Sequence, residues 1–413
     1  MKLPFNRRKT GSAGKHTFAL AMFATSSILT AQASAASFNV IHNFTNGADG
    51  GVPGYTLAYR SRDGMFFGAA MQGGLGNGTV FSFYHARNKQ WKFNTIYDFT
   101  SQDGQPLWGV TLNQGGIYTN ASYNSVFGGP CGSAIQLHKG IQFPGPAVRT
   151  ETPMHTFAAD IDGCNSGNLL VDKRGTAFGV TQLGGAGGGG GTVFELAPLP
   201  DGNAWAELTL YSFRGDLDGS SPHSALVRDS AGNLYGTASG CQPGKCSGTV
   251  FKLHPGPFGW IFSTLHVFKG GNDGGGPVAG LLLKNGNLYG ATTSAGANGG
   301  GTVFELSPAK DGWSFKVLAS MAGSGGPVAS LAMDGAGNLY GTNAMDGANG
   351  LGSVFKLTPG QQGWTYQDLH DFTGGADGGY PGGGVIFDNA GNMFGTATTG
   401  GAGNWGVVYE ITQ

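Results

Sequence analysis

The chain has 413 residues, and its 79 glycines, about 19% of the total, far exceed the roughly 7% usual in proteins. Hydrophobic residues make up 39% of the chain and aromatic residues 11%, enough for a sizeable core, which argues against a disordered protein. The 23 Lys and Arg nearly balance the 24 Asp and Glu, so the basic surface that nucleic-acid binding requires is excluded.

The first 35 residues have the three parts of a secretory signal peptide. Basic residues, Arg7 and Arg8 among them, precede an uncharged apolar run over 18–29, and small residues ending at Ala35 follow. This order predicts cleavage after Ala35 and export of residues 36–413, into the periplasm or the medium. An uncleaved membrane anchor is the alternative, but the apolar run is shorter than the about 20 residues that span a bilayer. We expect no membrane span in the mature chain.

Four cysteines in an exported chain predict disulfides, because the compartments outside the cytoplasm are oxidising. Cys241 and Cys246 flank a turn-forming insert, and we expect a local bridge between them. Cys131 and Cys164 are then the remaining pair. Zinc is the alternative for Cys241 and Cys246, but no second closely spaced Cys or His pair accompanies them.

A tetrapeptide similar to Gly-Thr-Val-Phe recurs seven times along the mature chain. Its copies begin, at spacings of 51 to 59 residues, at Gly78, Gly132, Gly191, Gly248, Gly301, Gly352 and Gly406. The 378 residues from Ala36 to Gln413 therefore divide into seven copies with a mean length of 54. Repeats of this length are typical of rings and arrays built from one supersecondary unit.

Each repeat contains four short apolar runs, as the copy from Trp260 to Leu306 shows. The runs are rich in Val, Phe, Tyr, Leu and Thr, and Gly, Asp, Asn or Pro separates them, which is typical of strands and turns. Four strands per repeat predict an all-β, seven-bladed β-propeller that forms a single domain over 36–413. We name the strands A to D from the channel outward.

The ring is predicted to be permuted. Residues 38–44 match strand D of the other copies, whereas residues 407–411, at the end of the chain, match strand C. We therefore expect the N-terminal strand to complete the last blade and to pair the edge that would otherwise stay open.

Three motifs follow one another between Asp218 and Leu253: Asp-Gly-x-x-Pro, Asp-x-x-Gly-Asn-Leu-Tyr-Gly-Thr and Gly-Thr-Val-Phe-x-Leu. In this combination the whole mature chain resembles the GloVer tandem-repeat proteins of bacteria. The resemblance implies an extracellular protein, and it supplies no catalytic residues, because the family has no assigned activity. A C-terminal sorting or anchoring segment often follows these repeats, and none follows Gln413. Release is therefore expected as readily as attachment to the cell surface.

The Asp-Gly turns supply candidate ligand-binding carboxylates. The turns carry Asp49, Asp103, Asp162, Asp218, Asp273 and Asp377, of which we select the last four. If the D–A and B–C loops share a face, these carboxylates form a broken ring around the channel mouth. Two copies read Asp-x-Asp-Gly and could hold Ca²⁺, although we expect no cofactor. The simpler interpretation is turn chemistry, in which Asp accepts hydrogen bonds from its own backbone.

Aromatic residues divide into repeated and unrepeated ones. His42, His155, His266 and His370 share one position with Tyr97 and Tyr211, which predicts packing as amphipathic strand residues rather than catalysis. Trp108 and Trp405 break the repeat, and we predict that they stack on a sugar ring, with ordinary loop packing as the alternative.

The sequence favours a binding or cell-surface interaction module that acts as a monomer. It leaves the extracellular ligand open between a carbohydrate, in particular a neutral glycan, and a protein. Phosphate-binding and hydrolase motifs are absent from the sequence. One alternative is an extracellular carbohydrate-active hydrolase or lyase, which needs a carboxylate pair or a repeat-breaking His on the channel face. The other alternative is a purely structural envelope protein.

Overall fold

The computed structural model describes residues 36–412, apart from 55, 102, 114–115, 123–129, 138–150, 201–203 and 324. The described residues form strands and turns, which assemble into seven small antiparallel sheets. These sheets are the blades of a seven-bladed β-propeller, as the repeat predicts. Within the described part of the chain, no helix has the length and hydropathy needed to cross a membrane.

Strands follow the order A, B, C, D from the axis outward in each blade, and in blades 1, 3 and 4 position A holds two short segments. Blade 1 contains β2 (Gly51–Pro53), β3 (Ala58–Arg60), β4 (Met65–Gln72), β5 (Thr79–His85) and β6 (Trp91–Asp98). Blade 2 contains β7 (Gln105–Asn113), β8 (Gly116–Ser122), β9 (Pro130–Leu137) and β10 (Glu151–Ala158). Blade 3 contains β11 (Cys164–Ser166), β12 (Leu170–Val171), β13 (Ala177–Leu183), β14 (Thr192–Pro198) and β15 (Trp205–Ser212).

The second half of the ring repeats this arrangement. Blade 4 contains β16 (Ser220–Pro222), β17 (Val227–Arg228), β18 (Leu234–Gly240), β19 (Thr249–Gly256) and β20 (Gly259–Val267). Blade 5 contains β21 (Leu282–Lys284), β22 (Asn287–Thr292), β23 (Thr302–Ala309) and β24 (Gly312–Ser320). Blade 6 contains β25 (Ala332–Met333), β26 (Leu339–Asn343), β27 (Ser353–Gly360) and β28 (Gly363–Asp371). Blade 7 contains β29 (Ile386–Phe387), β30 (Met393–Ala397), β31 (Val407–Thr412) and β1 (Ser37–Asn43).

The ring closes through β1, which pairs antiparallel with β31 as the outer strand of blade 7. In this register Phe38 lies opposite Ile411. The Phe38 ring stacks on His370 at 3.8 Å and on Tyr409 at 5.4 Å, measured between ring centroids. Since β1 covers the edge of β31, the predicted closure by the N-terminal strand is confirmed.

The Asn-Leu-Tyr-Gly and Gly-Thr-Val-Phe motifs meet inside each blade. In blade 6, Gly341 of strand B lies opposite Phe355 of strand C. A Cβ atom on Gly341 would lie 2.5 Å from the Phe355 ring and 2.9 Å from Leu331. An aromatic ring crowds the equivalent glycine in the same way in other blades, at Gly68, Gly179, Gly236, Gly290 and Gly395. The repeat needs glycine here because the strand C ring lies directly over strand B.

Aromatic rings join the outer strands of neighbouring blades. His266 stacks on Phe315 of the next blade at 3.8 Å, and Tyr211 stacks on Phe262 at 4.0 Å. The same contact recurs in the pairs His42–Phe93 and His370–Phe38. His42, His266 and His370 thus pack between blades, which agrees with the packing role predicted for the repeated position.

The D–A loops and the B–C loops lie on one side of the ring, which we call the loop face. The backbone N–H of Gln242 donates to the Gly215 carbonyl at 2.6 Å, and that of Gly296 donates to the Gly271 carbonyl at 2.9 Å. Each bond joins a B–C loop to a D–A loop. The A–B turns and the C–D hairpins form the opposite side, the turn face.

Candidate functional site

The Asp-Gly turns use their carboxylates to hold strand D. Asp218, only 5% exposed, accepts the Tyr211 hydroxyl proton at 2.8 Å and the Arg214 backbone N–H at 2.9 Å. Asp273 lies 3.3 Å from the His266 Nε2 atom and accepts from a backbone N–H of its own turn. The carboxylates paired in the same way with a strand D side chain are Asp49, Asp103, Asp162 and Asp377. These carboxylates therefore stabilise their own turns, which is the simpler of the two interpretations of the Asp-Gly motif.

The Asp-Gly turns lie toward the rim of the loop face. The Thr249 hydroxyl of strand C donates to the Asp218 carbonyl at 3.1 Å, and the Thr264 hydroxyl of strand D donates to the Leu217 carbonyl at 3.2 Å. Strands C and D are the two outer strands of a blade, so the expected ring of carboxylates around the channel mouth is wrong. Among the described residues, no group of three His, Cys, Asp or Glu side chains is placed to hold a metal ion.

Burial keeps four of the side chains that pair with these carboxylates uncharged: His42, His266, His370 and Tyr211. It lowers the pKa of His42, His266 and His370, although the neighbouring carboxylate of each pair opposes this change. Burial, together with Asp218, raises the pKa of Tyr211 to about 12. At neutral pH these rings are therefore neutral, which suits side chains packed between blades.

A cleft of 460 Å³ opens on the loop face at the boundary between blades 3 and 4. It is lined by Arg214, Asp216, Leu217, Asp218, Lys245, Phe262, Ser263 and Thr264. Cations, carboxylates and hydroxyl groups thus face one space beside an aromatic ring. Of the predicted site residues, Asp218 lies in this cleft, whereas Asp162, Asp273 and Asp377 lie at three other blade boundaries.

Two disulfides restrain the loop face, and one of them closes a loop that lines this cleft. Cys241 and Cys246, with Cα atoms 5.5 Å apart, close the B–C loop that carries Lys245. Cys131 and Cys164, with Cα atoms 5.2 Å apart, join strand C of blade 2 to the first inner segment of blade 3. The structure therefore contains both predicted bridges.

The channel mouth holds Trp108 and a histidine that the sequence analysis missed. Trp108 of blade 2 and His223 of blade 4 have ring centroids 6.2 Å apart, although blade 3 lies between these blades along the chain. The His223 Nδ1 atom lies 2.6 Å from the Ser221 carbonyl oxygen, and burial lowers its pKa. His223 follows Pro222, and the other copies have Gly54, Leu107, Gly167, Val278, Val328 and Gly382 at this position. A position-by-position comparison of the inner segments would have identified it.

Trp405 belongs to the ring closure. Its half-buried side chain packs against a buried cluster that includes Phe44 and Phe81, and its carbonyl accepts the Val52 backbone N–H at 2.8 Å. The expected role as an exposed platform for a sugar ring does not fit this packing. The structure places Trp405 in blade 7 and Trp108 at the channel mouth, so the two tryptophans do not form one site.

Residues 239–413 match the family model of the Gloeobacter/Verrucomicrobia repeat, which confirms the resemblance to GloVer proteins. No curated protein matches the chain.

Several solved structures are similar to this chain. One, described as a hypothetical selenium-binding protein from Sulfolobus tokodaii, is 12% identical and aligns over 74% of this chain and 75% of its own, with a TM-score of 0.48. A proposed oxidoreductase of the glucose dehydrogenase type from Thermus thermophilus is 16% identical over 78% and 99%, with a TM-score of 0.47. PorZ, a surface component of the type-IX secretion system of Porphyromonas gingivalis, is 9% identical over 87% and 46%, with a TM-score of 0.46. None of these similarities assigns an activity to this chain.

Proposed function

We propose that this Gloeobacter/Verrucomicrobia repeat protein is an exported β-propeller that binds a neutral glycan on its loop face. The 460 Å³ cleft between blades 3 and 4 carries this proposal. Export is supported by the signal-peptide pattern of the first 35 residues and by two disulfides, which form in oxidising compartments. The protein acts in the periplasm, in the medium or at the cell surface.

The cleft provides hydrogen-bonding groups and an apolar surface for a sugar. Sugar hydroxyls donate hydrogen bonds to carboxylates and accept them from cationic groups, and Asp216, Arg214 and Lys245 provide both kinds of partner. Phe262 contributes an apolar surface for the C–H groups of the ring. Because Asp216 and Asp218 balance Arg214 and Lys245, the lining favours a neutral ligand over a strongly charged one.

One observation favours the enzyme alternative: His223 lies at the channel mouth, and the other repeats have no histidine at this position. Its described hydrogen-bond partners are the Ser221 carbonyl and the Ser239 hydroxyl. Neither is a carboxylate, whereas glycosidases use carboxyl groups in pairs. Binding is therefore the function that the described residues support best.

A glycan array probed with purified residues 36–413 identifies the ligand, and titration calorimetry then measures its affinity for variants. Asp216→Asn and Lys245→Gln each remove one exposed charge from the cleft. We expect each change to weaken binding by about tenfold, the loss of one charge-assisted hydrogen bond. Lys269→Gln is the matched control, because Lys269 lies on the next D–A loop and outside the cleft. Equal affinity for all three variants, or no bound glycan, would contradict the proposal.

Product analysis after incubation with the bound glycan separates binding from catalysis. We expect the glycan to be recovered intact from the wild type. Cleavage by the wild type that is lost in His223→Gln would establish the enzyme alternative and place the reaction at the channel mouth. Cleavage retained in His223→Gln would contradict simple binding without supporting that site.

A further inference from the structure

A second pocket lies on the turn face, at the boundary between blades 2 and 3, and has a volume of 230 Å³. It is lined by Asn113, Tyr118, Gln136, Lys173, Arg174, Gly175, Pro198 and Trp205. None of these lining residues has a carboxylate. The pocket is therefore electrostatically unlike the loop-face cleft, in which carboxylates balance the cations.

Two cations stand at the mouth of the pocket. Lys173 and Arg174 occupy the A–B turn of blade 3, and both side chains are exposed. The carboxylate of the same turn, Asp172, accepts from the Arg174 backbone N–H at 2.8 Å and from the Arg228 guanidinium at 3.3 Å. Asp172 also lies 3.7 Å from the Arg174 Nε atom and offsets part of the charge of Arg174, but it does not line the pocket.

Neutral donors form the inner part of the pocket. Tyr118 is buried, and its hydroxyl oxygen accepts the Gln136 Nε2 proton at 3.0 Å, so the hydroxyl proton itself remains a donor. Burial raises the pKa of Tyr118 and keeps that proton in place. The indole N–H of Trp205 is buried and has no hydrogen-bond partner among the described residues. Buried donors without partners are rare, which indicates that an oxygen from outside the protein completes this one.

Blade 5 shows what the same position looks like when a carboxylate occupies it. Gln136 pairs with Tyr118 across strands C and B, and Glu305 pairs with Tyr289 in the same register. Glu305 accepts the Tyr289 hydroxyl proton at 2.9 Å and an Asn287 amide proton at 2.7 Å. In blade 2 the glutamine removes this negative charge and reverses the hydrogen bond, which leaves the tyrosine proton for a ligand.

We propose that the pocket binds the carboxylate of a uronic acid, a class of ligand different from that of the loop-face cleft. Lys173 and Arg174 contact the carboxylate, because opposite charges form the strongest hydrogen bonds. Trp205 and Pro198 supply apolar surface for the sugar ring. A pocket of 230 Å³ is far larger than a lone oxyanion, which favours a carboxylate carried on a ring.

Titration calorimetry with glucuronate, glucose and sulfate tests this assignment on residues 36–413. Glucuronate should bind in the millimolar range or tighter, with glucose and sulfate at least about tenfold weaker. Gln136→Glu, which copies blade 5, and the double variant Lys173→Gln/Arg174→Gln should each weaken glucuronate binding by at least about tenfold. Lys284→Gln, at the end of β21 in blade 5, is the matched control and should leave the affinity unchanged.

Three outcomes would overturn the proposal. They are sulfate binding as tight as glucuronate, glucuronate affinity unaffected by Gln136→Glu and by the double variant, and no glucuronate binding at all. The double variant changes only exposed side chains, so its thermal midpoint should match that of the wild type. A weaker affinity of this variant would then not result from unfolding. Asp216→Asn should bind glucuronate normally, which separates this pocket from the loop-face cleft.

Discussion

Single glycines determine how closely two strands of a blade can pack. Gly341→Ala would place a Cβ atom 2.5 Å from the Phe355 ring, and this crowding should reduce the free energy of unfolding by about 1 to 3 kcal/mol. Gly335→Ala is the control in the same blade, because nothing lies within 4 Å of its Cβ position. Its effect should stay within about 0.5 kcal/mol. Urea denaturation measures both values, and equal effects would contradict the role assigned to the motif glycine.

Buried histidines make the ring sensitive to acid. Burial lowers the pKa of native His266, so the native state binds a proton less readily than the unfolded state does. The contribution of neutral His266 to the free energy of unfolding is complete above the pKa of the unfolded state, about 6.5. It is lost as the pH falls below that value toward the pKa of the native state. Thermal midpoints of the wild type should therefore fall between about pH 7.5 and about pH 5.5.

His266→Tyr separates the charge of this position from its packing. Tyr211 shows that tyrosine fits, since it stacks on Phe262 and donates to Asp218. The variant should match the wild type near pH 7.5 and lose less thermal stability near pH 5.5, because tyrosine takes up no proton in this range. If both proteins lost the same amount, protonation of His266 would not be the cause.

Among the strands, β1 carries the closure of the ring. Phe38→Ala removes a ring stacked on His370 and Tyr409, and should reduce the free energy of unfolding by about 2 kcal/mol, since the side chain is half-buried. Asn39→Ala, at an exposed position of the same strand, should have an effect within about 0.5 kcal/mol.

Deletion of 36–43 should expose β31 and cause aggregation, seen by size-exclusion chromatography. A deletion variant as soluble and heat-resistant as the mature chain would refute closure by β1.

The two disulfides close loops of different length, and their contributions should differ accordingly. Replacing Cys131 and Cys164 with alanine opens a sequence separation of 33 residues and should cost roughly 3 to 4 kcal/mol of unfolding free energy. The same change at Cys241 and Cys246 opens a separation of 5 and should cost roughly 2 kcal/mol. Denaturation of the two double variants gives the order, and a larger loss from the shorter loop would contradict this explanation.

Strand order and closure could be predicted because both follow from aligning the repeats with one another. Disulfide pairing could be predicted because Cys241 and Cys246 flank one turn and leave Cys131 and Cys164 as the second pair. The position of the Asp-Gly turns could not, since it depends on Asp218 lying against strands C and D of the next blade. The turn-face pocket was also invisible in the sequence, because Tyr118 and Trp205 come from different blades and meet only in space. Contacts within one blade could be predicted from the repeat, whereas the lining of this pocket depends on how two neighbouring blades pack.

Across the whole molecule, several departures from the repeat fall in blades 2 to 4. Trp108 and His223 meet at the channel mouth, and both disulfides lie in these blades. The loop-face cleft and the turn-face pocket also lie there, at two successive blade boundaries.

Hydrogen exchange with mass spectrometry tests the ligand site on the loop face most directly. Purified residues 36–413 are compared with and without the neutral glycan selected on the array. Protection should appear in peptides that cover 214–219, 241–247 and 262–264, which line or flank the cleft between blades 3 and 4. The A–B turn at 334–338 of blade 6 should exchange at the same rate in both samples. Protection confined to turn-face peptides, or no protection at saturating glycan, would contradict a binding site in this cleft.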